Sequence, residues 1–181
     1  MSKLLDFYHL KSLVRYNTRL KLTSETVAEH SYFVSLFTMI ICEELNLDNS
    51  VTAHALRYAI IHDIPEIDTS DIPYPVKKAN PELSNVLHNL EIKSIKNHLG
   101  KDCADFFEIV ESNEEGTKEL QIIRQVVKLA DTLSVKQYCE NEMTLGNSAI
   151  TPIMEDAKSR ISAYKENLFK LTGIKVKLGE E

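Results

Sequence analysis

The pair His62-Asp63 is the most informative feature of the sequence for chemistry. It ends the run ALRYAIIHD, whose apolar residues predict a buried helix. An ionised aspartate is rarely buried unless it is paired or bound to a metal ion. His30, in VAEHSYFV, and Asp131, in VVKLADTLSV, lie in two further apolar helical segments. Two imidazoles and two carboxylates suit a divalent ion such as Mn, Co, Fe, Ni or Zn, with coordination sites left for water.

Each of these four residues also has an interpretation without a metal ion. A histidine near the start of a helix is usually a partly buried polar residue or a helix cap. An aspartate in the middle of a helix usually lies on a solvated face. Because spacing along the chain does not establish that the side chains converge, an ordinary structural role competes with metal binding at each position.

Composition and charge limit the classes of function. The chain has 181 residues, of which 43% are hydrophobic, and its net charge is -6. This length suits a single domain over residues 1–181. No basic stripe is present, so we expect no binding to long nucleic acid, although a small anionic ligand is compatible. The longest apolar stretch, 37–42, is too short for a bilayer, and the N-terminus lacks a signal-peptide pattern.

The three cysteines, at positions 42, 103 and 139, form no CxxC pair. Reduced thiols and a cytoplasmic location are therefore expected, which is the host cytoplasm if the protein comes from a phage.

Apolar periodicity and the scarcity of Gly and Pro predict an all-α bundle of about seven helices. The predicted helices cover residues 4–14, 26–45, 51–62, 81–100, 101–112, 117–142 and 151–173. The second begins with a capping box from Thr26 to Glu29, with Ser24 as an alternative cap, and the third is capped by Ser50. Residues 62–77 contain three prolines, which predict a long shaped loop with at most one short helical turn. Residues 113–116 are expected to form a turn, and the tail after Gly173 is expected to be frayed.

The order His30, His62-Asp63, Asp131 resembles the H…HD…D signature of HD-domain metal-dependent phosphohydrolases. The likeness extends to longer segments, which follow the order and gaps of the YfbR-like 5'-deoxynucleotidases: Arg15-Tyr16, ETVAEHS at 25–31, HDIPEIDTSDIPYPVK at 62–77 and KLADTL at 128–133. It covers roughly residues 4–147 and implies an HD-domain helical bundle. Small phage HD-type dATP triphosphohydrolases are similar to the chain as well.

The resemblance implies a role for each matched residue. The implied metal ligands are His30, His62, Asp63 and Asp131, and the implied catalytic residues are Arg15, which orients the phosphate, and Glu66 and Asp71, which help to activate water and assist the leaving group. The implied substrate contacts are Arg15, Tyr16, Asp63, Asp71, Ile72, Pro73, Tyr74 and Lys77. Tyr16 departs from the family, in which the close relatives have Trp, and this bears on base preference.

The leading hypothesis is hydrolysis of 2'-deoxynucleoside 5'-phosphates with one divalent ion, Co, Mn, Fe, Ni or Zn. The alternative is a deoxynucleoside triphosphohydrolase, which releases triphosphate and can use Mg as a second ion. Arg19, Lys21, Lys77 and Lys78 are the cations that the sequence offers for a longer phosphate chain. A third hypothesis is a non-catalytic helical binding module. The expected partners are a small deoxynucleotide and further copies of the chain, in a homodimer or higher oligomer.

Overall fold

The computed structural model describes residues 3–112 and 116–179, without the side chains of Lys3, Tyr74, Pro75, Lys78 and Ser112. Within these ranges the elements are α1 (Lys3–Tyr8), a 3₁₀ turn (His9–Lys11), α2 (Val27–Glu44), α3 (Asn49–Ile61), α4 (Glu66–Thr69), α5 (Tyr74–Ala79), α6 (Pro81–Leu99), α7 (Lys101–Ser112), α8 (Lys118–Thr144), a second 3₁₀ turn (Ser148–Ile150) and α9 (Thr151–Thr172). These described residues contain no β-strand, which confirms the all-α prediction. The turn predicted at 113–116 lies outside them, except for Gly116.

The helix starts follow from local capping. The side chain of Thr26 accepts a hydrogen bond from the backbone of Glu29, and the Glu29 carboxylate accepts one from the backbone of Thr26, so the predicted capping box is confirmed. The prediction that Ser50 caps α3 is wrong. The carboxylate of Asp48 accepts from the N–H groups of Ser50 and Val51, which moves the helix start to Asn49.

Helix α8 is the central element of the bundle. It packs against α2, α3, α7 and α9, and its apolar residues are buried on several sides. Asp131 lies at the middle of α8, so this packing places it between α2 and α9. No helix among the described residues is both long and apolar enough to cross a bilayer.

The segment between α1 and α2 differs from the prediction of a helix over residues 4–14. The helix stops at Lys11, and the chain then pairs with the residues just before α2. Val14 forms an isolated antiparallel bridge with Thr26, and the N–H of Arg15 donates to the carbonyl of Glu25 at 2.9 Å. This pairing replaces the last helical hydrogen bonds and holds Arg15 next to the start of α2.

The proline-rich loop contains two short helices, α4 and α5, where at most one turn was expected. Pro65 immediately precedes α4, and Pro73 immediately precedes α5. Proline is tolerated at a helix start because the backbone N–H there needs no helical partner. Ser70, between the two helices, has a φ of 60°, which turns the chain sharply.

The expectation of a frayed tail is wrong for residues 174–179. Val176 is buried, and the N–H groups of Lys177 and Leu178 donate to the carboxylate of Glu44. An apolar side chain and a charged acceptor together hold this segment against the end of α2.

Candidate metal centre and substrate cavity

Three helices bring the four predicted metal ligands to one corner of the bundle. His30 lies in the first turn of α2, His62 and Asp63 follow the last residue of α3, and Asp131 lies in the middle of α8. The three helices pack directly against one another. Residues that are far apart in the chain therefore meet at one place.

The ligand atoms of this corner lie within a few ångströms of each other. Nε2 of His30 is 3.1 Å from Oδ1 of Asp131 and 3.6 Å from Oδ2 of Asp63. Nε2 of His62 is 3.2 Å from the same oxygen of Asp63. One ligand atom each from His30, His62 and Asp63 lie within 4.8 Å of one another, a spacing at which they could hold one ion. Asp131 lies next to this group, because its Oδ1 atom contacts Nε2 of His30.

The two imidazoles present unsatisfied nitrogen atoms to the corner. Nδ1 of His62 lies 2.7 Å from the carbonyl oxygen of Ala59, so it donates a proton there and leaves a lone pair on Nε2. Both Nε2 atoms are buried and form no hydrogen bond; the approach of His30 to Asp131 lacks hydrogen-bond geometry. Since buried polar atoms are nearly always paired, these two atoms beside two carboxylates fit a divalent cation.

The two carboxyl groups carry the charge that a metal site needs. Burial raises the pKa of Asp63, but His62, His30 and Arg15 lower it by more. Burial likewise raises the pKa of Asp131, but His30, His62 and Arg15 lower it by more, so the net pKa of Asp131 is lowered. Both groups are therefore ionised at neutral pH, as metal ligands must be.

Arg15 lies at the edge of the corner. Its NH1 donates to Oε2 of Glu25 at 2.9 Å and lies 2.5 Å from Nδ1 of His30, while its Nε is buried without a hydrogen-bond partner. Burial lowers the pKa of Arg15, but the charges of Tyr16, Glu25, Asp63 and Asp131 raise it by more. The net pKa is therefore raised, and the side chain stays charged. A buried guanidinium with an unused donor matches the geometry of a phosphoryl group.

The contact between Arg15 and His30 depends on the tautomer of His30. Arginine only donates, so Nδ1 of His30 accepts in this arrangement. A cation on Nε2 requires Nδ1 to carry the proton instead, and the hydroxyl of Ser134, 3.1 Å away, can then accept it. With a cation held at Nε2 of His30, one N–H of Arg15 would be free to donate to another acceptor.

Glu66 begins α4 and faces the same cavity as the corner. Burial, with smaller contributions from the charges of Asp63 and Asp71, raises the pKa of Glu66 to about 9. Its Oε2 atom is buried and has no hydrogen-bond partner. Without a bound cation, a carboxyl group in this environment is protonated at neutral pH, so it can donate a proton more readily than it can accept one.

Asp71 and Tyr16 are joined across the cavity mouth. The N–H of Tyr16 donates to Oδ2 of Asp71 at 3.1 Å, and Tyr16 has a φ of 58°, which is uncommon for a bulky residue. The Tyr16 ring stacks on Tyr138, with centroids 4.5 Å apart and planes inclined by 4°. The hydrogen bond and the stack hold an unfavourable backbone conformation.

A cavity of about 770 Å³ adjoins the corner. The predicted residues that line it are Arg15, Tyr16, His62, Asp63, Glu66, Asp71, Ile72, Pro73, Lys77 and Asp131. His30 is fully buried and does not line it. The Tyr74 side chain lies outside the described part of the structure. Lys77 donates to Glu91 at 3.1 Å, so this lysine forms an ion pair within the protein.

Helix α9 contributes to the cavity, which the sequence motifs did not indicate. Ile153, Asp156, Arg160 and Tyr164, three or four residues apart on one face of this helix, line the cavity. NH2 of Arg160 lies 3.8 Å from Oδ2 of Asp131. The spacing of these residues was visible in the sequence, but an ordinary solvated helix face has the same pattern.

Together, the fold and this site define an all-helical protein with a candidate metal corner of two imidazoles and two carboxylates. The family described as 5'-deoxynucleotidase YfbR-like matches residues 5–171, and the chain belongs to this family.

Relatives and solved structures agree with this assignment. The 5'-deoxynucleotidase YfbR of Photorhabdus temperata is 29% identical over 146 residues, which cover 77% of this chain and 72% of the relative. The HD phosphohydrolase DatZ of cyanophage S-2L, solved with dA and one catalytic zinc ion, matches with a TM-score of 0.66 at 18% identity, over 94% of this chain and 95% of that one. An HD-domain phosphohydrolase from Listeria innocua gives a TM-score of 0.70 at 23% identity, over 91% and 81%. These structures confirm the HD-domain fold.

Proposed function

We propose that the protein hydrolyses the 5'-phosphate ester of 2'-deoxynucleotides and releases a deoxynucleoside and phosphate. The observation that carries the proposal is the pair of buried, unpartnered Nε2 atoms of His30 and His62 beside two ionised carboxylates. Membership of the YfbR-like family and the activity named for its Photorhabdus relative support the reaction.

His30, His62, Asp63 and Asp131 would hold one divalent ion. When bound, such an ion supplies Lewis acidity, which lowers the pKa of a coordinated water and draws charge from a phosphoryl oxygen. The zinc ion named for the cyanophage neighbour supports a divalent ion in general. We propose Co, Mn, Fe, Ni or Zn, because the mixed nitrogen and oxygen ligands suit this group.

The remaining groups of the cavity bind the phosphate and manage protons. Arg15 directs its guanidinium N–H groups to phosphoryl oxygens and offsets their negative charge. Glu66, when protonated, donates a proton from its carboxyl group to the departing 5' oxygen. Asp71 accepts the N–H of Tyr16 and thereby orients the loop that borders the nucleoside.

The nucleoside packs on the apolar part of the cavity lining. Tyr16, Ile72, Pro73, Val135 and Ile153 contribute to this lining. Aromatic and aliphatic side chains bury the faces of a base and a deoxyribose, whereas contact with the charged corner would desolvate its ionised groups. The stack of Tyr16 on Tyr138 keeps the Tyr16 ring in a fixed orientation.

A substrate panel on the metal-reconstituted protein tests the proposal. The purified chain is stripped with a chelator and supplied separately with Co, Mn, Fe, Ni, Zn or Mg, then incubated with deoxy- and ribonucleoside mono-, di- and triphosphates. Release of orthophosphate from deoxynucleoside monophosphates, and much less from ribonucleotides, is the expected result. No bound ion and no product with any ion would support the non-catalytic binding module instead.

We also propose that the protein acts in the cytoplasm, in keeping with its three free thiols. The homodimer or higher oligomer stays a prediction, which light scattering on the purified protein tests.

A further inference from the structure

A polar cluster joins helices α4 and α6 behind the substrate cavity. Ser94 and His98, four residues apart, share one face of α6. The hydroxyl of Ser94 donates to Oδ2 of Asp68 in α4 at 2.6 Å, and Nε2 of His98 lies 3.2 Å from the same oxygen. Nδ1 of His98 lies 3.8 Å from Oδ2 of Asp6 in α1. We call the contact of Asp68 with Ser94 and His98 the α4–α6 contact.

The donors of the α4–α6 contact are enclosed by the protein. The side chain of His98 is 12% exposed, and the ring of Phe7 packs edge-on against it, with centroids 6.1 Å apart. Ser94 is buried. Because these two side chains have little access to water, the carboxylate of Asp68 is the acceptor that satisfies them. The contact is therefore better defined than an ion pair between two exposed side chains.

Asp68 connects this cluster to the reacting groups because it lies on the same short helix as Glu66. Helix α4 has four residues, and positions two apart project to nearly opposite sides of a helix. Glu66 lines the substrate cavity, whereas Asp68 does not line it and bonds to α6. Asp68 therefore holds α4 from the side opposite the cavity.

The carboxyl group of Glu66 depends on the position of α4. Its Oε2 atom is buried and has no hydrogen-bond partner among the described residues. The backbone N–H groups of Thr69 and Ser70 donate to the carbonyls of Pro65 and Glu66, within the same segment. Such local hydrogen bonds fix the shape of α4, but they do not fix its orientation relative to the rest of the site.

Contacts with other elements set that orientation. Ile67 packs against the hydrophobic core, and Asp68 adds the polar contacts with α6. Apolar burial is non-directional, whereas hydrogen bonds require a defined geometry. The rotation of α4 about its own axis, and with it the direction of the Glu66 side chain, therefore follows from the contacts of Asp68.

We propose that His98 is a positioning residue for the reaction: together with Ser94, it holds α4 through Asp68 and so keeps the carboxyl group of Glu66 aimed at the departing 5' oxygen. The inference rests on the proposed function, in which Glu66 donates a proton to that oxygen. A displacement of about 1 Å costs about 100-fold in rate. Loss of the α4–α6 contact should therefore lower kcat without weakening the binding of substrate or metal.

Steady-state kinetics on the metal-reconstituted protein, with a deoxynucleoside monophosphate, tests the role of His98. In His98→Ala, kcat should fall about 10- to 100-fold while KM and bound metal stay the same. The matched control is His54→Ala on α3, because this histidine is also partly buried against an aromatic ring, that of Phe106, but does not line the cavity. The control should change none of these quantities.

Variants of Asp68 test the same contact from the other side. Asp68→Ala should lower kcat as His98→Ala does, and Asp68→Asn, which keeps an acceptor oxygen, should retain most of the rate. The Asp68 side chain is half-exposed, so Asp68→Ala serves if His98→Ala does not fold. A kcat equal to that of the wild type in both alanine variants, or a rise in KM alone, would overturn the proposal.

A double-mutant cycle shows whether His98 acts through Glu66. Glu66→Gln removes the proton donor, so His98→Ala in this background should lower kcat by less than about threefold. Single-turnover assays with excess enzyme keep the slow double variant measurable. An equal loss of kcat in both backgrounds would overturn the positioning role.

Amide hydrogen exchange tests the α4–α6 contact without turnover. In His98→Ala, the N–H groups of Thr69 and Ser70 should exchange about tenfold faster, whereas those of α2 should not change. Unchanged exchange at Thr69 and Ser70 would overturn the hold on α4. Faster exchange together with no hydrolysis of any deoxynucleotide by the wild type would instead overturn the proposed function and support the α4–α6 contact alone.

Discussion

Helix α8 carries two polar clusters that show opposite ways of placing an acid inside a protein. Glu142 is fully buried, and its carboxylate accepts from the N–H groups of Leu22 and Thr23, the hydroxyl of Thr23 and the amide of Asn147. Burial raises the pKa of Glu142, but these hydrogen bonds lower it to about 2. Asp131, three turns earlier, instead faces a histidine nitrogen that forms no hydrogen bond.

The difference separates a structural role from a binding role. The Glu142 cluster is satisfied within the protein, so it stabilises the loop that follows Tyr16 and holds it against α8. The corner at Asp131 leaves two buried nitrogens without partners, which costs free energy unless a ligand supplies the missing interaction. Substitutions in the first cluster should therefore act on stability, and substitutions in the second on metal binding and turnover.

The largest effect is expected from Asp63→Ala. Removal of this carboxylate should reduce bound metal to background and phosphate release by more than about 1000-fold, because a metal ion contributes several kcal/mol to such reactions. Metal analysis and a phosphate assay measure both effects. Asp102→Ala, an exposed carboxylate on α7, is the control. Retained metal and activity in Asp63→Ala would remove the basis for a metal corner.

Arg15→Ala should lower turnover by about 100- to 1000-fold with the metal content unchanged, because the variant loses a charged donor to the phosphoryl group. Steady-state kinetics and metal analysis on the same preparation make this comparison. Loss of metal along with turnover would mean that Arg15 supports the ligands rather than the substrate.

Glu142→Gln should lower the free energy of unfolding by about 2–3 kcal/mol, because an amide cannot accept from all four donors. Urea denaturation of the metal-free protein measures this, and the metal affinity of the folded variant should match that of the wild type. A variant as stable as the wild type but with weakened metal binding would reverse the roles of the two clusters.

The pH dependence of stability provides an independent check on Glu142. Its pKa falls from 4.5 in the unfolded chain to about 2 in the folded protein, so its contribution is complete above about pH 4.5 and is lost as the pH falls toward 2. The wild type should therefore lose stability through this window, and Glu142→Gln should lose less. If the stability of both proteins fell equally with decreasing pH, the lowered pKa of Glu142 would be contradicted.

The smallest effect is expected from Ser134→Ala. This change removes the hydroxyl 3.1 Å from Nδ1 of His30, and loss of such a supporting group weakens metal binding by about tenfold. Ser35→Ala, which removes a hydroxyl that donates to the carbonyl of Ser31 within α2, is the matched control. An unchanged Kd for the metal in Ser134→Ala would show that this hydroxyl does not orient His30 for metal binding.

Much of the helical framework was predictable because its signals are local. The capping box at Thr26 and the stop at Gly100 act within one turn of the chain, and the structure confirms both. The errors occur where distant groups override local preference. The first helix ends before Val14, which forms a β-bridge with Thr26 instead. Near the C-terminus, the carboxylate of Glu44 accepts a hydrogen bond from the backbone of Lys177.

Most of the helices could be predicted from the chain alone, because periodicity and capping are properties of neighbouring residues. The order of the motifs singled out His30, His62, Asp63 and Asp131 as candidate ligands. The folded structure was needed to show which nitrogens remain without partners, that Glu142 is satisfied within the protein, and that α9 lies beside α8 and completes the cavity. Burial, hydrogen-bond partners and shared cavities depend on contacts between residues that can be more than a hundred positions apart, as between Thr23 and Glu142. No local pattern specifies such contacts.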